Sequence, residues 1–589
     1  MTKLSLENWK TDDNLDGLLF FAQIIEEMAS RYTLDTYKAP VFNSHSLCDE
    51  IIDVSEEIGQ GFLHEKGIIP IKEELIWNLQ NDPVAKHILG YRYHSIIDEL
   101  KESDNQKRLI AIVRPIQNLL EKKYFAELKN QIIATIKNPK DKEAILNLSK
   151  IYISELLFYG YSQEFLHQMI MQSFFSTQKI TSITQIEQFL NKFTFEKKSY
   201  DVYFKGDNKF YYLNELSSIF NFEISDEAIT PRKGRSEEKD FFKIYPEYPL
   251  NIIFKNFEAL DPFDAKIGCE LLLINLKDLG AFSTHKEKLN WFYQALIYSE
   301  NDFVTIVGNY SPMFKIKDLD IDNFKVNIDE DISFFVNFNN TSRYFIMNSF
   351  NLHSIAIDSK NSVNQLLNLW TALETLLPPP PNNDIRIVHF LCSHEPFLAR
   401  KYIQKLIFDL LNELRYELGD QLTQIFFKIP HGSTDFEKIS FILCQKEESE
   451  KFRDEIYAKI GRNLRLRYKI FNLMKKLHNS DALLDTIQTH NKRVSWQLQR
   501  IYRARNLIVH KGGKLPYIDH LVENLHSYYH AIISLIKEIQ SEYDNIDSLE
   551  TVFKLIRIEY ESHVKLLKSS KGENCSSDNF KMMLFCNPK

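Results

Sequence analysis

This 589-residue chain is poor in the residues that mark specialised scaffolds. Its six cysteines are scattered, with no CxxC pair. That excludes a dense secreted disulfide framework and leads us to expect reduced thiols. With only 17 glycines and 18 prolines, collagen-like and low-complexity architectures are excluded. The longest apolar runs, such as Gly17 to Phe21, are far shorter than the roughly 20 residues of a membrane span. Met1-Thr2-Lys3 leads into no apolar signal-peptide core. The expectation is therefore a soluble, cytoplasmic protein with no membrane partner, in which the Asn339-Asn340-Thr341 sequon stays unmodified. No GxxxxGK[ST], GxGxxG or HExxH occurs, which argues against an NTPase, a dinucleotide enzyme or a zincin. A net charge of -8 means that any contact with nucleic acid has to come from a local patch.

What the chain does have is ample apolar material, at 44% of residues. Its length exceeds what one core supports, so about two to four domains are expected. The fold class that follows is multidomain α+β. Residues 1–195 are expected to be helical, with Leu18, Phe21, Ile24, Ile25 and Met28 on one helix face. A second stripe runs through Leu109, Ile112, Ile116, Leu119 and Leu120, and Gly160-Tyr161-Ser162 is expected to be a turn with a helix cap. The period changes near Tyr200. Alternation at Tyr200, Val202 and Phe204, and apolar runs at Phe210 to Leu213, 250–254, 271–276, 303–307 and 344–347, predict a mixed or β-rich domain over 196–359. The segment 226–240 reads as an exposed loop.

Helical periodicity returns over 360–589. Leu366, Leu367, Trp370, Leu373, Leu376 and Leu377 share a face that ends at Pro378 to Pro381. Long helices are expected over 397–418, 452–477 and 494–510, the last stopping at Gly512-Gly513. Pro516 opens another, lined by Leu521, Leu525, Tyr528, Ile532, Leu535, Ile536 and Ile539.

The candidate site lies at that glycine stop, in Arg505-Asn506-Leu507-Ile508-Val509-His510. Asn506 and His510 are four residues apart and share a helix face. Arg505 lies about 140° around from His510, within reach of a long side chain or of a site completed by a second subunit. The three apolar residues between are expected to bury the other side. No Asp or Glu occurs from Thr486 to Ile518, whereas Lys492, Arg493, Arg500, Arg503, Arg505, Lys511 and Lys514 do. Arg462, Arg465, Arg467, Lys469, Lys475 and Lys476 form a second basic run upstream. Such a surround is the electropositive footprint that a phosphate backbone needs. The bare Arg-x4-His spacing is close to chance; the added Asn506, the glycine break and the acid-free stretch carry the signal. Set against it is the plainer reading of a capped helix end with a solvated basic face. His389, Cys392 and His394 form an H-x-x-C-x-H group without the second cluster that a zinc site needs, so neither a metal nor another cofactor is expected. His431-Gly432-Ser433 reads as a turn.

The Arg-Asn-x-x-x-His pattern at a helix end in a C-terminal helical region resembles the signature of the HEPN superfamily. The segment Leu369 to Leu377 is similar to the first helix of its ApeA-like group. The likeness covers about 363–541. It implies an all-α bundle, a metal-independent endoribonuclease and a role as an anti-phage abortive-infection or toxin effector answering a phage-derived trigger, with the first 360 residues acting as sensor or regulator. It also implies a homodimer whose two motifs face each other across an RNA-binding cleft. By that likeness His510 would act as base or acid on an RNA 2′-hydroxyl, Arg505 would hold the phosphate, and Asn506 would orient either. Glu374 would anchor a basic side chain, while Arg503, Lys511 and Lys514 would contact RNA. The products would carry 2′,3′-cyclic phosphate ends. The alternative is an inactive module of the same type that binds RNA or a partner protein. The 130 or so residues between Glu374 and Arg505 imply insertions, expected around the proline run and 429–445.

Overall fold

The computed structural model describes residues 4–30, 42–138, 140–227, 229–232, 234–243, 245–285, 288–299, 304–308, 311–315, 334–379, 386–511, 515, 517–543 and 546–585. The architecture is multidomain α+β: helical at both ends, with one small antiparallel sheet between.

In the N-terminal region the helix Asp16–Ala29 is buried over almost its whole length. Gly17 lets it pass the end of the long helix Gln106–Ile136, because a Cβ there would lie 2.1 Å from the Ile136 carbonyl oxygen. In that long helix Leu109, Val113, Ile116, Leu120, Tyr124, Leu128, Ile132 and Ile136 are buried at three- and four-residue intervals, one stripe of a 3.6-residue period. Ile112 and Leu119 flank it half-buried. Gly160, at a φ of +104°, turns the chain between the helices Lys142–Phe158 and Gln163–Phe174. Ser162 makes no cap bond to its own helix. Its N–H and hydroxyl instead donate to Asp261 at 2.7 Å each, which ties this region to the next.

The sheet has the order β2-β3-β1-β4-β5, with β1 at Lys198–Gly206, β2 at Glu223–Ser225, β3 at Leu250–Ala259, β4 at Ala295–Ser299 and β5 at Val304–Val307. All neighbours are antiparallel, with Val202 opposite Phe254 and Ile297. Val202, Phe204, Ile252, Phe254 and Ile297 pack with Cys269, Leu273 and Leu276 of the helix Pro262–Thr284. Tyr203, Ile253, Leu296 and Tyr298 cover the other face with Phe241, as the two-residue period requires.

Three apolar runs expected in this domain are not strands. Residues 271–276 lie inside Pro262–Thr284, 344–347 inside the helix Asn340–Asp358, and Phe210 to Leu213 in the 3-10 helix Asn208–Leu216. A short unbroken apolar run has no period of its own, and the caps decide. Asp261 accepts the N–H groups of Phe263 and Asp264, with Pro262 following it, and Asn339 accepts that of Ser342. Within 226–240 the helix Ser236–Phe241 begins, and its buried Glu238 accepts from the Tyr298 hydroxyl at 2.8 Å.

The C-terminal region holds two cores. The first is built by Asn340–Asp358, Ser362–Leu376, Arg386–Arg400, the C-terminal half of Ser480–Lys511, Ile518–Glu542 and Leu549–Ser569. Ile346 and Ala356 lie in it, so this bundle starts before residue 360. The second is built by Tyr402–Leu418, Asp420–Phe427, Asp435–Cys444, Glu450–Ile460, Leu464–Leu477, the first turns of Ser480–Lys511 and the C-terminal Phe580–Phe585. The helix expected over 397–418 is broken at Lys401, and that over 452–477 at Gly461, with a φ of +60°. This second lobe accounts for the long interval between Glu374 and Arg505.

Candidate functional site

Arg505, Asn506 and His510 lie in the last two turns of the 32-residue helix Ser480–Lys511. Its first turns belong to the second core through Leu483 and Ile487; from Val494 on, it packs in the bundle through Leu498, Ile501, Ala504 and Ile508. Trp370 of Ser362–Leu376 stacks on Phe390 at 4.1 Å and leans on Tyr502 at 5.7 Å, which brings the two family-like segments together in one core. Of the three apolar residues in the motif only Ile508 is buried. Leu507 is half-buried, and Val509 is 52% exposed beside His510.

Arg505 is half-buried, and its Nη1 donates to Asn506 Oδ1 at 3.0 Å. Asn506 therefore positions the arginine of its own chain. His510 is exposed, and among the described residues it has no hydrogen-bond or ring partner. Arg505 has no carboxylate partner among them either. The helix end thus presents a guanidinium held in place by an amide, and an imidazole open to solvent, one turn apart. Gly512, Gly513 and Lys514 lie outside the described residues.

Three cations of the basic surround, Arg500, Arg503 and Lys511, are answered by acids from elsewhere in the chain. Lys492 and Arg493 are instead exposed over the Trp496 and Trp77 rings, with no carboxylate partner among the described residues. Arg500 is buried, donates to both carboxylate oxygens of Glu50 at 2.9 and 2.7 Å, and reaches Glu74 at 2.6 Å. Its guanidinium lies over the Phe42 ring at 4.5 Å. Arg503, expected to contact RNA, is 5% exposed; it donates to Glu50 at 2.9 Å and sits beneath the carbonyl of Gly67. It belongs to an interior ion pair and offers no surface to a phosphate. Lys511 is exposed but paired with Glu57, above the Phe62 ring.

These acids come from the N-terminal helices Ser44–Gly59 and Ile69–Asn81. Burial alone would raise the Glu50 carboxyl, yet the facing Arg500 and Arg503 outweigh it and hold the group below its ordinary value. For Glu74 burial prevails over Arg500, and the carboxyl is raised. The upstream run is answered in the same way: Arg462 by Asp16, Arg465 by Glu27 and Glu413, Lys469 by Glu413 and Lys475 by Glu143.

Glu374 is half-buried in the last turn of Ser362–Leu376 and has no cationic partner among the described residues. Glu50 and Glu74 are the acids that pair with the buried arginines of the motif helix. His389 and His394 turn to the carbonyls of Pro378 and Phe390, each at 2.9 Å, while Cys392 is exposed, so this group does not converge. His431 lies against Phe441 beside Gly432, at a φ of +90°. A cavity of about 640 Å³ lies between the N-terminal region and the second lobe and is lined by none of the motif residues. No helix among the described residues is long and apolar enough to cross a membrane. Comparison with protein-family models, curated proteins and solved structures gives no match for this chain.

Proposed function

We propose that the protein is a metal-independent endoribonuclease of the HEPN type, acting as a homodimer in defence against phage. The observation that carries this reading is the contrast along one helix: Arg500 and Arg503 are buried and neutralised, whereas Arg505 and His510 keep their charge and their imidazole for something outside the chain. The exposed Val509 next to His510 gives a second copy an apolar edge to pack on, and in this reading the second copy supplies the other wall of the cleft. In this reading one imidazole takes the proton of an RNA 2′-hydroxyl as its oxygen attacks the adjacent phosphorus. The bond to the 5′-oxygen breaks, and that oxygen receives a proton, from the second copy's imidazole or from water. Arg505 neutralises the phosphate as its charge grows. The N-terminal acids that clasp the motif helix make residues 1–195 the natural seat of regulation.

The pairing of Arg500, Arg503 and Lys511 favours a second reading, an inactive module that docks a protein, because these three cations near the motif are withdrawn from a phosphate chain. Incubation of RNA with the purified full-length protein, with end analysis of the products, separates the two. Catalysis predicts 2′,3′-cyclic phosphate ends and a loss of roughly 10²- to 10⁴-fold in His510→Ala with unchanged circular dichroism, since that side chain is exposed. Equal cleavage by the variant would refute the catalytic assignment, and intact RNA with wild type would favour the docking module.

A further inference from the structure

Three histidines converge in the bundle at a place unrelated to the motif. His526 and His530 are one turn apart on the helix Ile518–Glu542, on one face. His353 reaches them from the helix Asn340–Asp358. The Nε2 atom of His526 is 2.9 Å from that of His353 and 3.1 Å from that of His530. A ligand nitrogen from each ring lies within 4.8 Å of the other two. Among the described residues no other group of three His, Cys, Asp or Glu side chains converges in this way.

Hydrogen bonding does not account for this geometry. A ring nitrogen carries either one proton or one lone pair, so the Nε2 of His526 can bond directly to one neighbour and not to both. A cation at the common point accepts all three lone pairs at once. Zinc–nitrogen bonds of about 2.0–2.1 Å in tetrahedral geometry put the nitrogens roughly 3.3 Å apart, a few tenths of an ångström from the two separations at His526, and the His353 and His530 nitrogens lie within 4.8 Å of each other. The rings are held for it: His353 stacks on Tyr529 at 4.6 Å and 12°, and the Tyr529 hydroxyl is hydrogen-bonded to that of Ser349, which donates to the Ala372 carbonyl.

We propose that His353, His526 and His530 form a three-histidine zinc site that clips Asn340–Asp358 to Ile518–Glu542. Three neutral nitrogens and no carboxylate suit a first-row transition ion and not the oxygen-seeking Ca²⁺ or Mg²⁺. His526 is buried, while His353 and His530 are half-buried, and a zinc ion held by three protein ligands keeps its fourth position for water or an external ligand.

The test uses untagged full-length protein, stripped with chelator and titrated with Zn²⁺ against a chromophoric competitor, with Co²⁺ as a spectroscopic substitute. One Zn²⁺ per chain, visible Co²⁺ bands and a metal-dependent rise in Tm are expected. His353→Asn and His530→Asn, at half-buried positions and checked by circular dichroism, should each weaken binding by more than about 100-fold, beyond what loss of an outer-shell partner costs. No uptake by wild type at micromolar free Zn²⁺, or equal uptake by the folded variants, would overturn the site. RNA cleavage is not part of the readout, so failure here leaves the ribonuclease reading untouched.

Discussion

The N-terminal helical region meets its two neighbours through buried carboxylates, and the two joints are built in opposite ways. Towards the motif helix, Glu50 and Glu74 face Arg500 and Arg503, two acids against two guanidiniums. Towards the sheet, Asp261 receives four donors, the N–H and hydroxyl of Ser162 and the N–H groups of Phe263 and Asp264. No cation pairs with it among the described residues. Hydrogen bonds alone do not offset its burial, and its carboxyl is pushed up to about 6. Glu50, equally sequestered, is held below its ordinary value because charge faces charge. Burial is common to both; at Glu50 the two facing guanidiniums outweigh it, whereas Glu74, opposed also by the Glu50 charge, is raised in spite of Arg500.

The largest effect is expected from breaking the charged joint. Glu50→Ala would strand Arg503 in the interior and leave Arg500 with Glu74 alone, and a buried charge that has lost its partner costs about 3–5 kcal/mol. Urea unfolding should show that loss, together with exposure of the motif helix to protease. A change below about 1 kcal/mol would mean that Glu74 alone suffices. A Glu50→Gln, Arg500→Met double replacement should recover part of the stability, because it removes both charges together.

Next in size is the pH response of the uncharged joint. The unfolded Asp261 carboxyl titrates near its ordinary ~3.9 and the folded one at about 6. Between those values the native state binds more protons, so this group's contribution to stability falls as pH rises through that window, by about 2–3 kcal/mol, and is flat above it. Glu50 acts with the opposite sign: its contribution is present above the unfolded pKa and is lost as pH falls through the lowered folded one. Unfolding free energies of wild type and Asp261→Asn measured from pH 4 to 7 isolate the first effect. Parallel curves for the two proteins would show that Asp261 does not titrate in this window.

This comparison also shows which features were legible in the sequence. The apolar stripes of Gln106–Ile136, Ser362–Leu376 and Ile518–Glu542 could be read from their period, because each buries one face, and Asp16–Ala29, buried nearly all round, from its density of apolar residues. The helix Pro262–Thr284 could not be read from its Leu271–Leu276 run, although Asp261-Pro262 carries a capping signal. The acid-free stretch around the motif is visible in the sequence, but its counter-charges lie some 450 residues away at Glu50, so a basic run and a neutralised one look identical along the chain. His353 and His526 are separated by 173 positions. Only the i, i+4 pair His526 and His530 was there to be noticed, and one such pair has no meaning without its third member.

The smallest expected effect probes the rim between the neutralised and the open parts of the motif helix. Lys511 pairs with Glu57 one residue beyond His510, with the lysine 43% exposed. An exposed pair of this kind is worth only about 0.2–1 kcal/mol and weakens with salt. Lys511→Ala should therefore leave unfolding almost unchanged while removing the last tie between the N-terminal region and the helix end that carries His510. If that tie restrains the motif, the variant should cleave RNA faster than wild type, and wild type should approach it as ionic strength rises. If Lys511 serves RNA instead, the variant should cleave more slowly at every salt concentration. The two outcomes place the residue on opposite sides of the divide between Arg503, which is spent inside the fold, and Arg505, which is kept for the outside.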